Sequence, residues 1–180
     1  MREHKILFTG TMGAGKTTAI GAVSEVPPVV TEVANNDASV AKATTTVGFD
    51  FGLLTLDNGD RLRLFGTPGQ LRFDFLWKIL ATNALGIVVL VDNSRPAPLE
   101  DLQAYVDGFA EQLRRLPCVV GVGRLSTHPS PGLDAYAEHL GRQGLAVPLL
   151  DVDVRRRDDV VLLLDTLLAQ VEADLMGMDE

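Results

Sequence analysis

Residues 10–17 read Gly-Thr-Met-Gly-Ala-Gly-Lys-Thr and fit the pattern G-x-x-x-x-G-K-[ST]. The short apolar run at residues 5–9 predicts a strand before them, and residues 17–26 suit a helix that stops at Pro27. A glycine-rich loop in this position turns its backbone N–H groups inward, and the positive end of the following helix favours an anion. The stretch therefore predicts a phosphate-binding loop. The alternative is a glycine-rich turn in which Thr17 only caps the helix.

The rest of the chain alternates strand-like with helix-like segments. Further strands are predicted at residues 47–56, 61–65, 85–92, 118–122 and 147–152, and further helices at residues 98–116, 133–140 and 158–175. Asn58-Gly59 predicts a hairpin turn in which both residues take positive φ, so the two flanking strands are antiparallel. Residues 27–46 show no clear period, which in a compact domain indicates function or mobility. The order predicts a single α/β domain over residues 1–180, with helices on both faces of a mostly parallel six-stranded sheet that has one antiparallel strand.

The composition is that of an ordinary globular protein. The 180 residues are 46% hydrophobic and 22% charged, which argues against global disorder. Because 16 Lys and Arg stand against 24 Asp and Glu, the formal charge is −8, and nucleic acid is not expected as a partner. Cys118 is the only cysteine, so it forms neither an intramolecular disulfide nor a cysteine-rich metal site. No secretory signal is visible and the longest apolar run is residues 84–91, so we expect a cytoplasmic protein without an integral membrane segment.

A second motif, Gly-Thr-Pro-Gly-Gln at residues 66–70, follows the second hairpin strand. Together with residues 10–17 and with Thr-Val-Gly-Phe at residues 46–49, it resembles the Ras-like small GTPases, most closely the bacterial branch typified by MglA. In order and spacing, the resemblance spans nearly the whole chain. It implies a Ras-like P-loop fold of three α/β/α layers and a molecular switch that binds GTP or GDP with Mg²⁺. It also implies a protein effector or activating protein as partner, for which a Roadblock-type protein is a candidate.

The resemblance assigns roles to individual residues. Lys16 reaches the β- and γ-phosphates, while Thr17 and Thr46 offer hydroxyl groups to Mg²⁺. Gly69 donates its N–H to the γ-phosphate, and Gln70 orients the attacking water, which makes Gln70 the expected catalytic residue. The residues expected to contact the nucleotide are Gly10, Thr11, Gly13, Ala14, Gly15, Lys16, Thr17, Thr18, Thr46, Gly69 and Arg124.

Some of these assignments have alternatives. Thr44 or Thr45 takes the role of Thr46 if the register of that segment is shifted, and a run of threonines also simply favours extended chain. Residues 67–69 otherwise form an ordinary β-turn that leaves Gln70 exposed. Arg72 either stabilises the transition state in cis or, more commonly for such a residue, forms an ion pair that holds the neighbouring helix.

Three residues depart from the Ras-like pattern. Gly66 stands where these proteins carry an aspartate that holds Mg²⁺ through water, so metal binding is weakened or another carboxylate substitutes. Met12 replaces a common glycine beside the γ-phosphate, so unassisted hydrolysis is expected to be slow. Ser126 replaces the aspartate that reads guanine, which lowers the preference for guanine by about 10- to 1000-fold. Arg124 still covers a base with its stem, and Asp153 is a candidate substitute carboxylate.

Two further interpretations stay open beside the leading one. A nucleotide-binding scaffold without turnover is favoured by Gly66, Met12 and Ser126, and it predicts that no phosphate is released. An ATP-using enzyme built on the same loop predicts a preference for ATP over GTP and a pocket for an acceptor. The leading interpretation is a small GTP-binding switch whose slow hydrolysis needs a partner.

Overall fold

The computed structural model describes residues 1–27, 29–34, 46–71 and 74–177. Their strands are β1 (Glu3–Gly10), β2 (Val29–Ala34), β3 (Thr46–Thr55), β4 (Arg61–Gly66), β5 (Ala84–Asp92), β6 (Cys118–Gly123) and β7 (Leu149–Val152). Their helices are α1 (Lys16–Val23), α2 (Asp74–Ala81), α3 (Pro98–Gly108), α4 (Leu133–Gly141) and α5 (Arg157–Gly177), with a short 3-10 helix at Gln112–Arg114.

The strands form one sheet in the order β2-β3-β4-β1-β5-β6-β7. β1 is parallel to β4 and β5, β6 is parallel to β5, and β7 is parallel to β6. β3 is antiparallel to both of its neighbours, so among the described strands it alone runs against the others. The predicted α/β class, with its mostly parallel sheet and one antiparallel strand, is confirmed, and the fold is consistent with that of Ras-like P-loop proteins.

Within the described residues the sheet has seven strands, one more than the six predicted from the sequence. The additional strand is β2, which lies at the edge of the sheet and pairs with β3 from Val29 opposite Phe51 to Ala34 opposite Thr46. It falls in the segment that shows no hydrophobic period. The place of an edge strand is decided by backbone hydrogen bonds to a strand that is distant in sequence, and a local pattern does not record those bonds.

The hairpin between β3 and β4 differs from the predicted two-residue turn. The backbone N–H of Leu56 donates to the carbonyl of Asp60 at 2.8 Å, so the loop consists of Asp57, Asn58 and Gly59. Of the two residues expected to take positive φ, only Gly59 does so, at 85°. A three-residue loop that ends in a left-handed glycine is a common hairpin form. Compared with the predicted turn, it shifts the pairing of the two strands by one residue and so changes which side chains face each other.

Two helices are shorter than predicted. α1 ends at Val23 because the chain becomes extended at Ser24, whose hydroxyl oxygen accepts the N–H of Leu53 on β3 at 3.1 Å. α3 ends at Gly108, and the 3-10 helix occupies part of the remaining predicted length. A Cβ atom on residue 108 would lie 2.7 Å from Cζ3 of Trp77, so the glycine permits a close contact between this helix end and α2.

The core has two halves, one on each face of the sheet. Along β1, Ile6 and Phe8 face one half and Leu7 faces the other, as expected for a strand whose side chains alternate. The first half includes buried side chains of α1 and α5, and the second includes those of α2, α3 and α4. The loops at the carboxyl ends of the parallel strands therefore meet at one edge of a well-packed sheet, which is where α/β proteins bind ligands. Within the described ranges, no helix is both long enough and apolar enough to cross a membrane.

Candidate nucleotide-binding site

The loop between β1 and α1 has the backbone of a phosphate cradle. Gly10, Gly13 and Gly15 take positive φ values of 142°, 82° and 97°, which other residues rarely adopt. A Cβ atom on residue 10 would clash with the carbonyl oxygen of Leu90, so glycine is required there. α1 begins at Lys16, directly after Gly15, which has no side chain to cap the first N–H groups of the helix. The positive end of α1 is thus open to an anion.

Lys16 is buried against the phosphate loop. Its Nζ donates to the carbonyl oxygens of Gly10 at 2.7 Å and Thr11 at 2.8 Å. Burial lowers the pKa of Lys16 from 10.5 to about 8, and the negative charge of Asp50 opposes that shift. Thr11 Oγ1 is buried and has no hydrogen-bond partner within the part of the chain that is described. An unpartnered hydroxyl group and a buried ammonium group both suit a phosphate, so these residues fit the nucleotide that the resemblance implies.

Thr17 contacts a carboxylate that sequence reasoning missed. Its Oγ1 donates to Oδ2 of Asp50 on β3 at 2.6 Å. Asp50 lies directly opposite Gly66 across β3 and β4. A Cβ atom on residue 66 would come within 3.0 Å of Asp50 Oδ2 and 3.2 Å of Asp50 Cβ. Because Gly66 has no side chain, the Asp50 carboxylate has room beside Thr17.

The segment that follows β4 passes directly over the loop. Thr67 and Thr9 share a buried hydrogen bond between their hydroxyl groups at 2.8 Å. A Cβ atom on Gly69 would lie 2.5 Å from the backbone nitrogen of Met12 and 2.9 Å from Nζ of Lys16, which leaves no room for a side chain. Gly69 and Lys16 therefore border the same space at the end of the loop.

A cavity of about 760 Å³ extends from the loop along the carboxyl ends of β5, β6 and β7. That volume suits a small-molecule ligand. The predicted contact residues on its lining are Gly13, Ala14, Gly15, Thr18 and Arg124, and Ser126 and Asp153 line it as well. A smaller cavity of about 420 Å³ lies beside Cys118 at the opposite end of β6, away from the loop.

Ion pairs of Arg124 with Asp92 and of Arg155 with Asp153 line the larger cavity. Arg124 takes a left-handed φ of 66°, and its Nη1 donates to Asp92 Oδ2 at 2.6 Å and to Ser94 Oγ at 2.9 Å. Arg155 donates from Nε and Nη2 to Asp153 at 2.8 Å and 2.6 Å. These hydrogen bonds lower the pKa of Asp153 to about 2. Each of these two carboxylates thus already faces an arginine.

A buried polar network holds the loop that follows β6. The hydroxyl group of Tyr136 donates to Oδ1 of Asn93, and both side chains are buried. Nδ2 of Asn93 donates to the carbonyl oxygens of His128 at 2.5 Å and Pro131 at 3.0 Å. The segment that carries Arg124 and lines the cavity is therefore tied to the end of β5.

Residues 8–126 match a family described as "Conserved hypothetical ATP binding protein". The chain belongs to this family. The matched region begins in β1 and ends at Ser126, so it contains the phosphate loop, Asp50 and Arg124.

This member of the conserved hypothetical ATP-binding proteins is also similar to Ras-related proteins. It is 30% identical to Ras-related protein Rab-8A of Gallus gallus over 110 residues, which are 59% of this chain and 48% of that protein. It is 22% identical to Ras-related protein RabC of Dictyostelium discoideum over 179 residues, which are 96% of this chain and 85% of that protein. It is 24% identical to intraflagellar transport protein 22 of Chlamydomonas reinhardtii over 116 residues, which are 62% of this chain and 56% of that protein.

The three alignments thus cover about half of Rab-8A and of intraflagellar transport protein 22, and most of RabC. These similarities support the Ras-like relationship that the motifs imply. The narrower placement in the branch typified by MglA stays a prediction.

The structure brings several of the predicted site residues together. Lys16 and Gly69 meet at the end of the loop, Thr17 adjoins it on α1, and Gln70 follows Gly69 and is partly exposed. The side chain of Met12 is exposed, while its backbone faces Gly69. The effect of Met12 on hydrolysis and the role of Gln70 stay predictions.

Thr46 is placed differently from the loop residues. It is the first residue of β3, and at about 3.3 Å per residue its Cα lies about 13 Å along the strand from that of Asp50. Thr46 is therefore not beside the contact between Thr17 and Asp50, and its role as a metal ligand stays a prediction. Thr44, Thr45 and Arg72 lie outside the described residues.

Proposed function

We propose that this protein is a small guanine-nucleotide-binding switch that uses Mg²⁺ and hydrolyses GTP slowly unless a partner assists. The observation that carries the proposal is the closeness of Gly69 to Lys16, since a Cβ on Gly69 would lie 2.9 Å from Nζ. A terminal phosphate beside Lys16 would contact the segment after β4. Binding or loss of this phosphate would therefore change the position of that segment. Similarity to proteins named Ras-related supports the choice of a guanine nucleotide.

Phosphate binding follows from the loop and the start of α1. Backbone N–H groups of the loop would donate to phosphate oxygens, and Lys16 would add a charge-assisted hydrogen bond. A bound anion also offsets the desolvation of the buried ammonium group, so it raises the pKa of Lys16. Thr17, at the second position of α1, offers its hydroxyl oxygen to the metal. When bound, Mg²⁺ supplies positive charge that neutralises the phosphates.

The switch consists of the segment around Gly69. Its N–H donates to a γ-phosphate, and this bond orders the segment over the loop. Gln70, the next residue, orients a water molecule for attack, because phosphoryl transfer depends on placement and charge stabilisation more than on covalent chemistry. Hydrolysis then removes the phosphate that held Gly69, and the segment relaxes.

We call the part of the cavity lined by Arg124, Ser126 and Asp153 the base end, because the resemblance places the nucleotide base there. This end is expected to select guanine only weakly. Guanine presents N–H donors that require an acceptor, and a serine hydroxyl at position 126 cannot provide the two charged oxygens of a carboxylate. Asp153 has those oxygens, but Arg155 engages them. A second candidate function, binding of an adenine nucleotide, is favoured by this weak acceptor and by the family's description as ATP-binding.

A partner surface is proposed on the face of the segment that leads into α2 and of α2 itself. Leu71, Phe75 and Ile79 are spaced four residues apart and are 57%, 53% and 64% exposed. Three exposed apolar side chains in a row are typical of a protein interface. Because Leu71 directly follows Gln70 in the sequence, a movement of the switch segment would move this face as well. A Roadblock-type protein is the partner that the sequence motifs suggest, and the variant Phe75→Ser is expected to weaken that binding without affecting nucleotide binding.

The test is calorimetric titration with GDP, GTP and ATP, each with and without Mg²⁺, followed by single-turnover measurement of phosphate release from GTP. Preference for GDP and GTP over ATP, with slow release of phosphate, supports the proposal. Preference for ATP overturns it in favour of the second candidate. Binding without any phosphate release identifies a scaffold that does not turn over.

Two lysine variants test the phosphate loop, one at the loop and one away from it as the matched control. Lys16→Ala is expected to abolish nucleotide binding, whereas Lys5→Ala, near the start of β1, is expected to leave it unchanged. Unchanged nucleotide binding in Lys16→Ala would overturn the assignment of the loop.

A further inference from the structure

Asp151 is an exposed carboxylate near the end of β7, and it lines the larger cavity together with Ser126. We propose that Asp151 accepts the N1–H and N2–H groups of a guanine base and thereby selects guanine at this site. This inference rests on the proposed function, because it requires a nucleotide that binds with its phosphates at the loop and its base at the base end.

The first argument is the state of the carboxylates in the cavity. Among the described residues, four carboxylates line it, and three are already engaged: Asp92 by Ser94 and Arg124, Asp153 by Arg155, and Asp159 by the backbone N–H of Asp153. Asp151 receives neither a hydrogen bond nor an ion pair from the part of the chain that the structure describes. Its two oxygens are therefore open to a ligand.

The second argument is the direction of the Asp151 side chain. Side chains alternate along a strand, and Leu150 and Val152 pack in the half of the core next to α1 and α5. Asp151 thus shares the opposite face with Leu149, which packs in the half that contains the buried side chains of α4. The loop after β6 carries Ser126 and leads into α4. Asp151 and Ser126 therefore approach the cavity from the same side of the sheet.

The third argument is the hydrogen-bonding pattern of the bases. Guanine presents N1–H and N2–H donors side by side, and an ionised carboxylate offers one oxygen to each. Hypoxanthine has N1–H but lacks the 2-amino group, so it makes one of these bonds. Adenine presents a bare N1, an acceptor that makes neither bond. The hydroxyl group of Ser126 cannot accept both donors, so Asp151 is the stronger acceptor at this end of the cavity.

The experiment is competition of unlabelled diphosphates against fluorescently labelled GDP in the presence of Mg²⁺. The competitors are GDP, inosine diphosphate, whose base is hypoxanthine, and ADP. In the unaltered protein, GDP should bind about tenfold more tightly than inosine diphosphate, because one charge-assisted hydrogen bond separates them. ADP should bind more weakly than both.

Asp151→Asn tests the role of the charge, since it keeps the size of the side chain. This variant should lose the preference for GDP over inosine diphosphate. Asp165→Asn, at an exposed position on α5 that does not line the cavity, is the matched control and should keep it. Equal preferences in Asp151→Asn and in the unaltered protein overturn the role of Asp151.

Xanthosine diphosphate separates base recognition from a merely structural role. Xanthine carries an oxygen in place of the 2-amino group of guanine, so it repels a carboxylate but accepts a hydrogen bond from an amide N–H. Asp151→Asn should therefore bind xanthosine diphosphate about tenfold more tightly than the unaltered protein does. A structural role predicts weaker binding of every nucleotide, and that result overturns the inference.

The outcomes also separate this inference from the function on which it rests. Preference of the unaltered protein for GDP over ADP, unchanged in Asp151→Asn, overturns the role of Asp151 and leaves the proposed function in place. Preference of the unaltered protein for ADP, or failure to bind any nucleotide, overturns both proposals.

Discussion

The hydroxyl group of Tyr105 on α3 donates to the carbonyl oxygen of Gly69 at 3.0 Å, and so the core of the protein holds the segment that lies over the phosphate loop. The indole N–H of Trp77 makes a similar contact with the carbonyl of Pro68 at 3.2 Å. The two rings are stacked with centroids 4.6 Å apart, and the indole also stacks on Phe109 at 5.3 Å. A displacement of Gly69 is therefore coupled to a buried aromatic cluster between the sheet and the helices α2 and α3.

Removal of the Tyr105 hydroxyl group is expected to loosen this segment. Tyr105→Phe keeps the ring in its stack but leaves the Gly69 carbonyl without its donor, which costs about 1 kcal/mol of unfolding free energy. Because the segment is then held less tightly over the loop, nucleotide should associate faster. Urea unfolding and stopped-flow binding measure the two effects. An association rate equal to that of the unaltered protein would show that the hydrogen bond does not restrain access to the loop.

The fluorescence of Trp77 is expected to report the state of the site. It is the only tryptophan of the chain, it is buried, and it donates to Pro68 beside Gly69. A γ-phosphate that draws Gly69 toward the loop would move Pro68 and change the environment of the indole. The emission spectrum should therefore differ between the complex with a non-hydrolysable GTP analogue and the complex with GDP. Identical spectra, with both nucleotides shown to be bound, would contradict coupling between the switch segment and the core.

The pH dependence of nucleotide affinity is expected to follow Lys16. Burial lowers its pKa to about 8 in the folded protein, against 10.5 for the exposed side chain, and a bound phosphate raises the pKa again. Above about pH 8 the free protein loses the proton that the complex retains, so the affinity for GDP should fall by up to about tenfold per pH unit. Calorimetry at pH 7 and pH 9 measures this change. A Lys16→Arg variant that still binds should show no such decline, because arginine keeps its charge.

The lowered pKa of Lys16 has the opposite effect on the stability of the free protein, which should increase with pH. Between about pH 8 and pH 10.5 the unfolded chain binds more protons at residue 16 than the folded chain does. Stability rises with pH wherever the unfolded state binds more protons, so the contribution of Lys16 to the unfolding free energy should increase across this window. Unfolding of the free protein and of Lys16→Met, compared from pH 7.5 to pH 10, isolates the contribution. A constant difference between the two would argue against a lowered pKa.

Loss of the Tyr136 hydroxyl group is expected to destabilise the base end of the cavity. Tyr136→Phe leaves Oδ1 of Asn93 buried without its donor, which costs about 1–3 kcal/mol. The carbonyl groups of His128 and Pro131 then lose a firmly held partner, so discrimination between guanine and adenine nucleotides should change more than affinity for the phosphates. Urea unfolding and competition between GDP and ADP measure these effects. Tyr105→Phe is the matched control, since it removes a tyrosine hydroxyl at the phosphate end of the site.

Several parts of the site could be predicted because they depend on residues that are close in sequence. The phosphate loop needs glycines at Gly10, Gly13 and Gly15, and the structure gives all three the positive φ values that explain them. The contiguous motif also explains the glycine at position 69, because its approach to Lys16 leaves no room for a side chain, while its contact with a γ-phosphate stays a prediction. The contacts of Arg124 with Asp92, by contrast, join two strands that are far apart in the chain, and no local pattern indicated them.

Asp50 illustrates the limit of prediction most clearly. A lone acidic residue in the apolar stretch of β3 was the available signal, but its partner depended on the hairpin. A two-residue turn at Asn58-Gly59 would pair residue 57 with residue 60, and so residue 50 with residue 67. The observed three-residue loop pairs residue 50 with Gly66 instead, which is why the carboxylate and the missing side chain share one space.

The sequence by itself determined the phosphate loop, the alternation of strands and helices, and the parallel character of the sheet, because each depends on glycine geometry or on hydrophobic period within a short stretch. Only the tertiary structure decided the position of the edge strand β2, the one-residue shift in the pairing of β3 with β4, and the resulting contact of Asp50 with Thr17. These features depend on backbone hydrogen bonds between distant segments, and a register shift of one residue changes every facing side chain while it leaves the local pattern of the sequence unaltered.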